Sequence, residues 1–309
     1  MATPKPPLAL IAGPTASGKS VLALALAEAE NGTVINADSA QIYRDLPILS
    51  AAPSEHDKTR AEHRLYGVRD GADPCSAADW AASAKLEIDL AHDLGKLPIL
   101  VGGTGLYLRT LLDGIAPVPA IDREVRRIVR GRSVSENLSE LRSMDPAAAT
   151  RLHAGDTARI ARALEVVQST GKPLAAWQAG REGGIADQIH LRPLILLPPR
   201  DWLYARCDSR FRQMVELGAI DEVERLLARG LDSHLPVMRA IGVAEIAAFL
   251  HGETSREAMI VAGSQATRRY AKRQYTWFSH QPPANWPRYS EALEAGSPGP
   301  ALALLGQKP

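Results

Sequence analysis

The stretch Gly13-Pro14-Thr15-Ala16-Ser17-Gly18-Lys19-Ser20 constrains this chain more than any other. It fits the pattern G-x-x-x-x-G-K-[ST], a backbone loop that wraps an anion. Leu8 to Ala12, just before it, is a short apolar run of strand length. Val21 to Glu30, just after it, is rich in Ala, Leu and Glu, which favour helix. Loop amides and a helix N-terminus converge on one point in such an arrangement. Lys19 adds a point charge there, and the Ser20 hydroxyl is the expected Mg²⁺ ligand. A nucleoside triphosphate is the default occupant, and a free diphosphate ester fits equally well.

Thr33 to Ala37 reads as a second strand ending at Asp38. Strand, helix and strand within so short a span make a βαβ unit, hence an α/β fold with a parallel sheet. Asp38 and the following Ser39-Ala40-Gln41-Ile42-Tyr43-Arg44 then leave the carboxyl edge of the sheet, where ligands of open α/β sheets bind. Residues 45–75, polar and carrying Pro47, Pro53 and Pro74, read mostly as loop. Ser76 and Asp79 form a variant capping box for a helix to Leu94. Leu97 to Val101 is a third strand, followed by Gly102-Gly103-Thr104-Gly105 and a helix to Asp113. Thr104 has two readings, a cap for that helix or a group facing the ligand. The third strand ends in glycines where nucleotide hydrolases usually hold an acidic Mg²⁺ ligand, which weakens the plain ATPase reading.

Ala116-Pro117-Val118-Pro119 marks a boundary, and the chain then turns helical and charged. The expected domains are 1–118, first part of the α/β core; 119–183, a helical insertion; 184–288, second part of the core; and 289–309, a tail loosely ordered until Ala301 to Leu305. Asp201 is expected to cap a helix to Leu217, and Thr254-Ser255-Arg256-Glu257 to start a long one to Trp277. That last helix carries Arg268, Arg269, Lys272 and Arg273 interleaved with Tyr270, Tyr275 and Trp277. Cations four apart share a side, and cations with aromatics suit an RNA backbone and unstacked bases. A solvated face over core aromatics is the competing reading.

With 309 residues the chain has room for about two domains. A net charge of +1 does not announce nucleic acid for the molecule as a whole, so any basic surface is local. Cys75 and Cys207 form neither a disulfide framework nor a metal set. No apolar stretch nears the roughly 18 residues of a membrane span, and Met1 to Pro7 is unlike a signal peptide. The expectation is a cytoplasmic monomer that does not engage membranes.

Five segments together resemble the bacterial tRNA dimethylallyltransferases (tRNA isopentenyltransferases): GPTASGKS at 13–20, DSAQIYR at 38–44, GGTGLYL at 102–108, ARIARALEV at 158–166 and AKRQYTWF at 271–278. They occur in the family's order and span nearly the whole chain. The resemblance implies a P-loop-kinase-like three-layer fold with a tRNA-facing helical insertion. It implies transfer of a dimethylallyl group from its diphosphate to N6 of the adenosine 3′ to the anticodon, with Mg²⁺, in tRNAs reading codons that begin with U. Gly13 to Ser20 then hold the diphosphate, Asp38 is the general base, Thr104 contacts the reacting base and Arg210 supports the leaving group. The tRNA contacts implied are Asp38, Ser39, Ala40, Gln41, Thr104, Arg126, Ala158, Arg159, Ile160, Ala161, Arg162, Ala240, Ile241, Gly242, Val243, Ala244, Glu245, Arg269, Lys272 and Arg273. Val243 departs from the family's usual Tyr, and the zinc finger of eukaryotic members has no counterpart. A small-molecule or nucleotide kinase using ATP and a nucleotide-gated RNA-binding protein are the competing classes.

Overall fold

A computed structural model of the chain describes residues 4–293 and 298–306. It divides into two compact units, Met1–Leu111 with Ala186–Pro309, and Leu112–Ile185. The first is built on a six-stranded parallel sheet of β1 (Pro7–Ala12), β2 (Gly32–Asn36), β3 (Glu62–Arg64), β4 (Leu97–Gly102), β5 (His190–Leu196) and β6 (Arg288–Tyr289). The spatial order is β3-β2-β4-β1-β5-β6. Ala9, Ile11, Val34, Ile99, Val101, Leu194 and Leu196 form one sheet face, and Leu22 and Leu26 of the helix Lys19–Glu30 pack against it in one core. From β1 the chain goes first to the β2 side of the sheet and later to the β5 side. The loop after β1 therefore lies at the switch point, where an α/β sheet opens a crevice.

Pro193 sits inside β5 without breaking it. Ile195 and Leu197 donate their N–H groups toward the β6 side, to Pro287 and Tyr289. By the two-residue alternation of a strand, the nitrogen of Pro193 faces the same side. Pairing there covers only Ile195 and Leu196, so the missing donor costs the ladder no bond.

Two expectations are corrected and one is refined. The segment 45–75 is mostly loop, as expected, but it holds the helix Glu55–Arg60, started by a capping box of Ser54 and Asp57, and β3 follows it. The strand is short, half-buried and polar, as edge strands often are, so no alternation reveals it. Asp201 is not a cap, because the helix Arg200–Glu216 begins after Pro199 and Asp201 lies in its first turn. Its charge there suits the helix dipole. The tail is not loose where it is described: Leu293, and Ala301 and Leu305 of the helix Gly299–Gly306, are buried in the sheet core. Residues 294–297 and 307–309 lie outside the described residues. The last long helix runs from Arg256 to His280, capped by Ser255.

The second unit is a helical bundle of Arg123–Gly131, Val134–Met144, Pro146–Arg151, Thr157–Thr170 and Leu174–Trp177. The first four of these helices start at side-chain caps from Asp122, Ser133, Asp145 and Asp156. Val129, Leu138, Leu141, Ile160, Leu164 and Val167 fill its core. Among the described residues of the chain, no helix is long and apolar enough to cross a membrane.

Candidate active site

The phosphate loop runs from β1 into the helix Lys19–Glu30. Its turn depends on Ala16 at φ 63° and Gly18 at φ 95°, a sequence of left-handed residues that points successive amides inward. The loop is braced from outside. Ala16 packs with Leu203, Cys207 and Ala271, and Arg206 donates from Nε to the Ala16 carbonyl at 3.1 Å. Lys19 Nζ donates to the Pro14 carbonyl at 2.7 Å. Burial pushes the Lys19 ammonium down to about 8; Asp38 opposes the fall and Arg210 adds to it. The Ser17 hydroxyl oxygen is buried with no hydrogen-bond partner, which is rare in folded proteins and calls for a ligand atom or water. Loop residues, Ser20 among them, line a polar cavity of about 260 Å³.

Asp38 stands at the rim of this cavity, fixed by residues behind it. Asn36, at the end of β2, accepts from the Asp38 N–H at 2.7 Å and donates to the Asp38 and Leu65 carbonyls. The fully buried Trp80 donates its indole N–H to the Asn36 carbonyl at 2.8 Å. Trp80 also stacks on Tyr107, with ring centroids 4.7 Å apart. One carboxylate oxygen of Asp38 accepts from the Ala40 N–H at 3.0 Å. No hydrogen bond to the second engages it among the described residues. Gln41 donates to the Ser50 and Ala51 carbonyls and closes the opposite wall.

A second cavity of about 210 Å³ adjoins the first and is mostly apolar, with Leu46, Leu49, Phe211, Met214, Val237 and Ile241 in its wall. Tyr43, Tyr107 and Tyr270 also line it. Burial pushes the Tyr107 and Tyr270 phenols well up, with Asp38 adding to each rise, so these hydroxyls stay protonated. Thr15, Asp38, Ser50 and Arg210 line both cavities. Desolvation lowers the half-buried Arg210 guanidinium, and the Asp38 charge opposes that fall. A carboxylate and a guanidinium therefore meet where the polar and apolar chambers join, with Lys19 on the polar side.

Thr104 is not among the residues lining either cavity. Its hydroxyl oxygen accepts from the Ser39 N–H at 3.0 Å and lies 3.3 Å from the Ser39 hydroxyl. It fastens the segment after Asp38 rather than standing free. The helix Arg256–His280 closes over this turn. Gln274, buried, accepts from the Thr15 N–H at 2.7 Å and donates to the Gly103 carbonyl at 2.9 Å. A Cβ on Gly103 would meet the Gln274 amide nitrogen at 2.2 Å, and one on Gly105 the Trp277 ring at 2.5 Å. These two glycines are therefore explained by the close approach of that helix.

The implied RNA contacts divide by exposure. Arg269, Lys272 and Arg273 are exposed, with Arg273 over the Tyr270 ring at 5.6 Å. Arg268 instead pairs with Asp208 at 2.6 Å. Ala240 and Ile241 line the apolar cavity, Ala244 is exposed, and Glu245 accepts from the Gly242 N–H. Val243 is 2% exposed, and so its side chain faces the core, not a ligand. In the helical unit Ile160 is likewise a core residue. Ala158 and Arg159 are exposed, and Ala161 is half-buried. Arg126 and Arg162 flank the buried carboxylate of Glu165, each at 3.9 Å. Arg130 pairs with it at 2.8 Å. Sequence reasoning missed Asn36, Trp80 and Gln274; the only available signal was a polar residue at a position that a strand or helix must bury.

The phosphate loop thus opens through an acid–arginine seam into an apolar chamber. Residues 41–281 match the family model described as IPP transferase. A tRNA dimethylallyltransferase of Sphingopyxis alaskensis is 62% identical over 287 residues, covering 93% of this chain and 94% of that one. The tRNA dimethylallyltransferase of Erythrobacter litoralis is 60% identical over 289 residues, with 92% and 91% covered. Among solved structures, the tRNA isopentenylpyrophosphate transferase of Bacillus halodurans matches with TM-score 0.70 at 32% identity over 98% of both chains. A eukaryotic dimethylallyltransferase acting on tRNA matches with TM-score 0.76 at 28% identity, over 88% of this chain and 70% of that one. The chain belongs to the IPP transferase family.

Proposed function

We infer that this chain is a tRNA dimethylallyltransferase, moving a dimethylallyl group from its diphosphate to N6 of the adenosine 3′ to the anticodon, in tRNAs reading codons that begin with U. The observation that carries this reading is the pair of joined chambers. The polar one suits a diphosphate, and the apolar one, walled by aliphatic side chains and tyrosines, suits a prenyl group and an unstacked base. A base in a tRNA loop must leave its stack to enter such a chamber.

Each residue then has a task. The N6 nitrogen attacks C1 of the dimethylallyl group as the C1–O bond breaks, and the diphosphate leaves with that electron pair. An adenine amino group is a weak nucleophile, so Asp38 takes its proton through the carboxylate oxygen that Ala40 does not use. Negative charge develops on the leaving oxygen, where Lys19, the loop amides and Arg210 counter it in a partly desolvated site. Thr104 holds Ser39, and with it the wall beside Asp38. Mg²⁺ fits the polar cavity, because it takes few protein ligands beside phosphate oxygens and water, and the oxygens of Ser17, Ser20 and Asp38 line that cavity. Ser20 would hold the ion, which when bound neutralises diphosphate charge.

Binding is tested by thermal unfolding. Dimethylallyl diphosphate with Mg²⁺, at roughly 100 times its Kd, adds about 2.7 kcal/mol to stability and raises the melting temperature without ATP. Protection by ATP and none by the prenyl diphosphate would favour a kinase.

The exposed cations of the helix Arg256–His280 serve tRNA phosphates in this reading. Replacing Arg269, Lys272 and Arg273 together by Ala weakens tRNA binding and flattens the plot of log affinity against log salt. Each lost phosphate contact removes about 0.7–0.9 from the slope. An unchanged slope would assign these side chains to solvent alone.

A further inference from the structure

We propose that Gln274 is a positioning residue for group transfer, a single amide that sets the phosphate loop and the catalytic carboxylate in register. The inference rests on the transfer reaction inferred above, but the clamp itself is read from geometry. Gln274 lies on the helix Arg256–His280, far in sequence from both segments it joins. Its carboxamide is 6% exposed as a residue, and both of its ends are engaged. The oxygen accepts from the N–H of Thr15, inside the phosphate loop, at 2.7 Å. The nitrogen donates to the carbonyl of Gly103, in the turn after β4, at 2.9 Å.

The connection continues from that turn. Thr104, the next residue, accepts through its hydroxyl from the Ser39 N–H at 3.0 Å, and its own N–H donates to the Ala37 carbonyl at 3.3 Å. Ala37 and Ser39 flank Asp38. The phosphate loop and the carboxylate are thus joined through Thr15, Gln274, Gly103, Thr104 and Ser39. Thr15 and Asp38 both lie on the seam between the chambers, so a shift at either end of this chain of bonds changes the distance between leaving group and base. The Thr15 amide, held by Gln274, is also removed from the set that can point at a phosphate, which leaves the anion to the amides further along the loop. An amide side chain offers an acceptor at one end and a donor at the other; ionised Glu, Met and Leu each lose at least one end. The close fit at Gly103, where a Cβ would meet the amide nitrogen at 2.2 Å, shows that the turn is shaped around this side chain.

The test compares Gln274→Met, which keeps volume and loses both hydrogen bonds, with Gly103→Ala, which displaces the same amide from the other side. Three quantities are read below the melting temperature of each variant: affinity for inorganic diphosphate with Mg²⁺, affinity for tRNA, and the single-turnover rate at saturating substrates. Both variants are expected to bind diphosphate at least tenfold more weakly. Both should also transfer about 10²-fold more slowly, the scale of an ångström-level misplacement. Affinity for tRNA should stay within twofold. Because the two substitutions break one link, their combined effect falls short of the product of the single effects. Wild-type-like diphosphate affinity and rate in a folded Gln274→Met or Gly103→Ala variant, with only the melting temperature lowered, would overturn the proposal. If the wild type binds diphosphate but transfers no prenyl group, the reaction assignment fails, while the diphosphate affinities still decide whether Gln274 orders the loop.

Discussion

Asp38→Asn lowers the single-turnover rate of prenyl transfer by about 10²–10⁴-fold, the usual worth of general-base catalysis, with both substrates still bound. The substitution is sharp because the amide oxygen of Asn can still accept from the Ala40 N–H, as the carboxylate does at 3.0 Å. Asn36 would continue to hold the backbone of residue 38. What disappears is the capacity to take a proton, together with one negative charge. Diphosphate affinity should not fall, because that charge repels the anion. The competing roles separate cleanly. A metal ligand would show a raised Mg²⁺ requirement and rescue by excess Mg²⁺. A turn cap would show about 0.5–2 kcal/mol of lost stability and a normal saturated rate. A near-normal single-turnover rate at saturating substrates and Mg²⁺ contradicts the base assignment.

Lys19→Ala lowers turnover by about 10²–10³-fold, the scale for removing one group aimed at developing negative charge, and leaves tRNA affinity within twofold. The pH dependence of its stability contribution has a definite sign. Burial holds the folded-state pKa of Lys19 at about 8, below its ordinary 10.5. The unfolded chain therefore binds this proton more tightly. Below pH 8 the group is charged in both states, and its full burial cost opposes folding; that cost fades as pH rises from 8 to 10.5. Removing the ammonium relieves that cost but also gives up the bond to the Pro14 carbonyl, so the variant should lose activity far more than stability. Parallel loss of tRNA binding and turnover would mean that the lysine serves the RNA as well.

Much of this site was legible because its parts are local. Gly13 to Ser20 are contiguous, and the strand before and helix after them follow from composition, so Lys19 and Ser20 could be assigned tasks from residue order alone. Asp38 could be placed beside the loop because a strand of a parallel sheet must end at the ligand edge. The supporting residues were not legible in the same way. Gln274 reads as one polar residue in a basic helix, and its importance arises from contacts with Thr15 and Gly103 that no local pattern encodes. Asn36 and Trp80 have the same character. Val243 and Ile160 were included by resemblance to whole segments, whereas a helix turns every third or fourth residue inward, and both are core. The strand Glu62–Arg64 stayed hidden because its side chains are polar, and the burial of Leu293 because the Pro and Gly residues around it mimic a loose tail.

The central claim is tested most directly by incubating the purified chain with an unmodified anticodon stem-loop, labelled dimethylallyl diphosphate and Mg²⁺, with ATP omitted, and digesting the RNA to nucleosides. The account predicts label in a single product, N6-dimethylallyladenosine, arising only from the adenosine 3′ to the anticodon, with release of diphosphate. An unlabelled RNA beside strict dependence on ATP as phosphoryl donor to some other acceptor would contradict it.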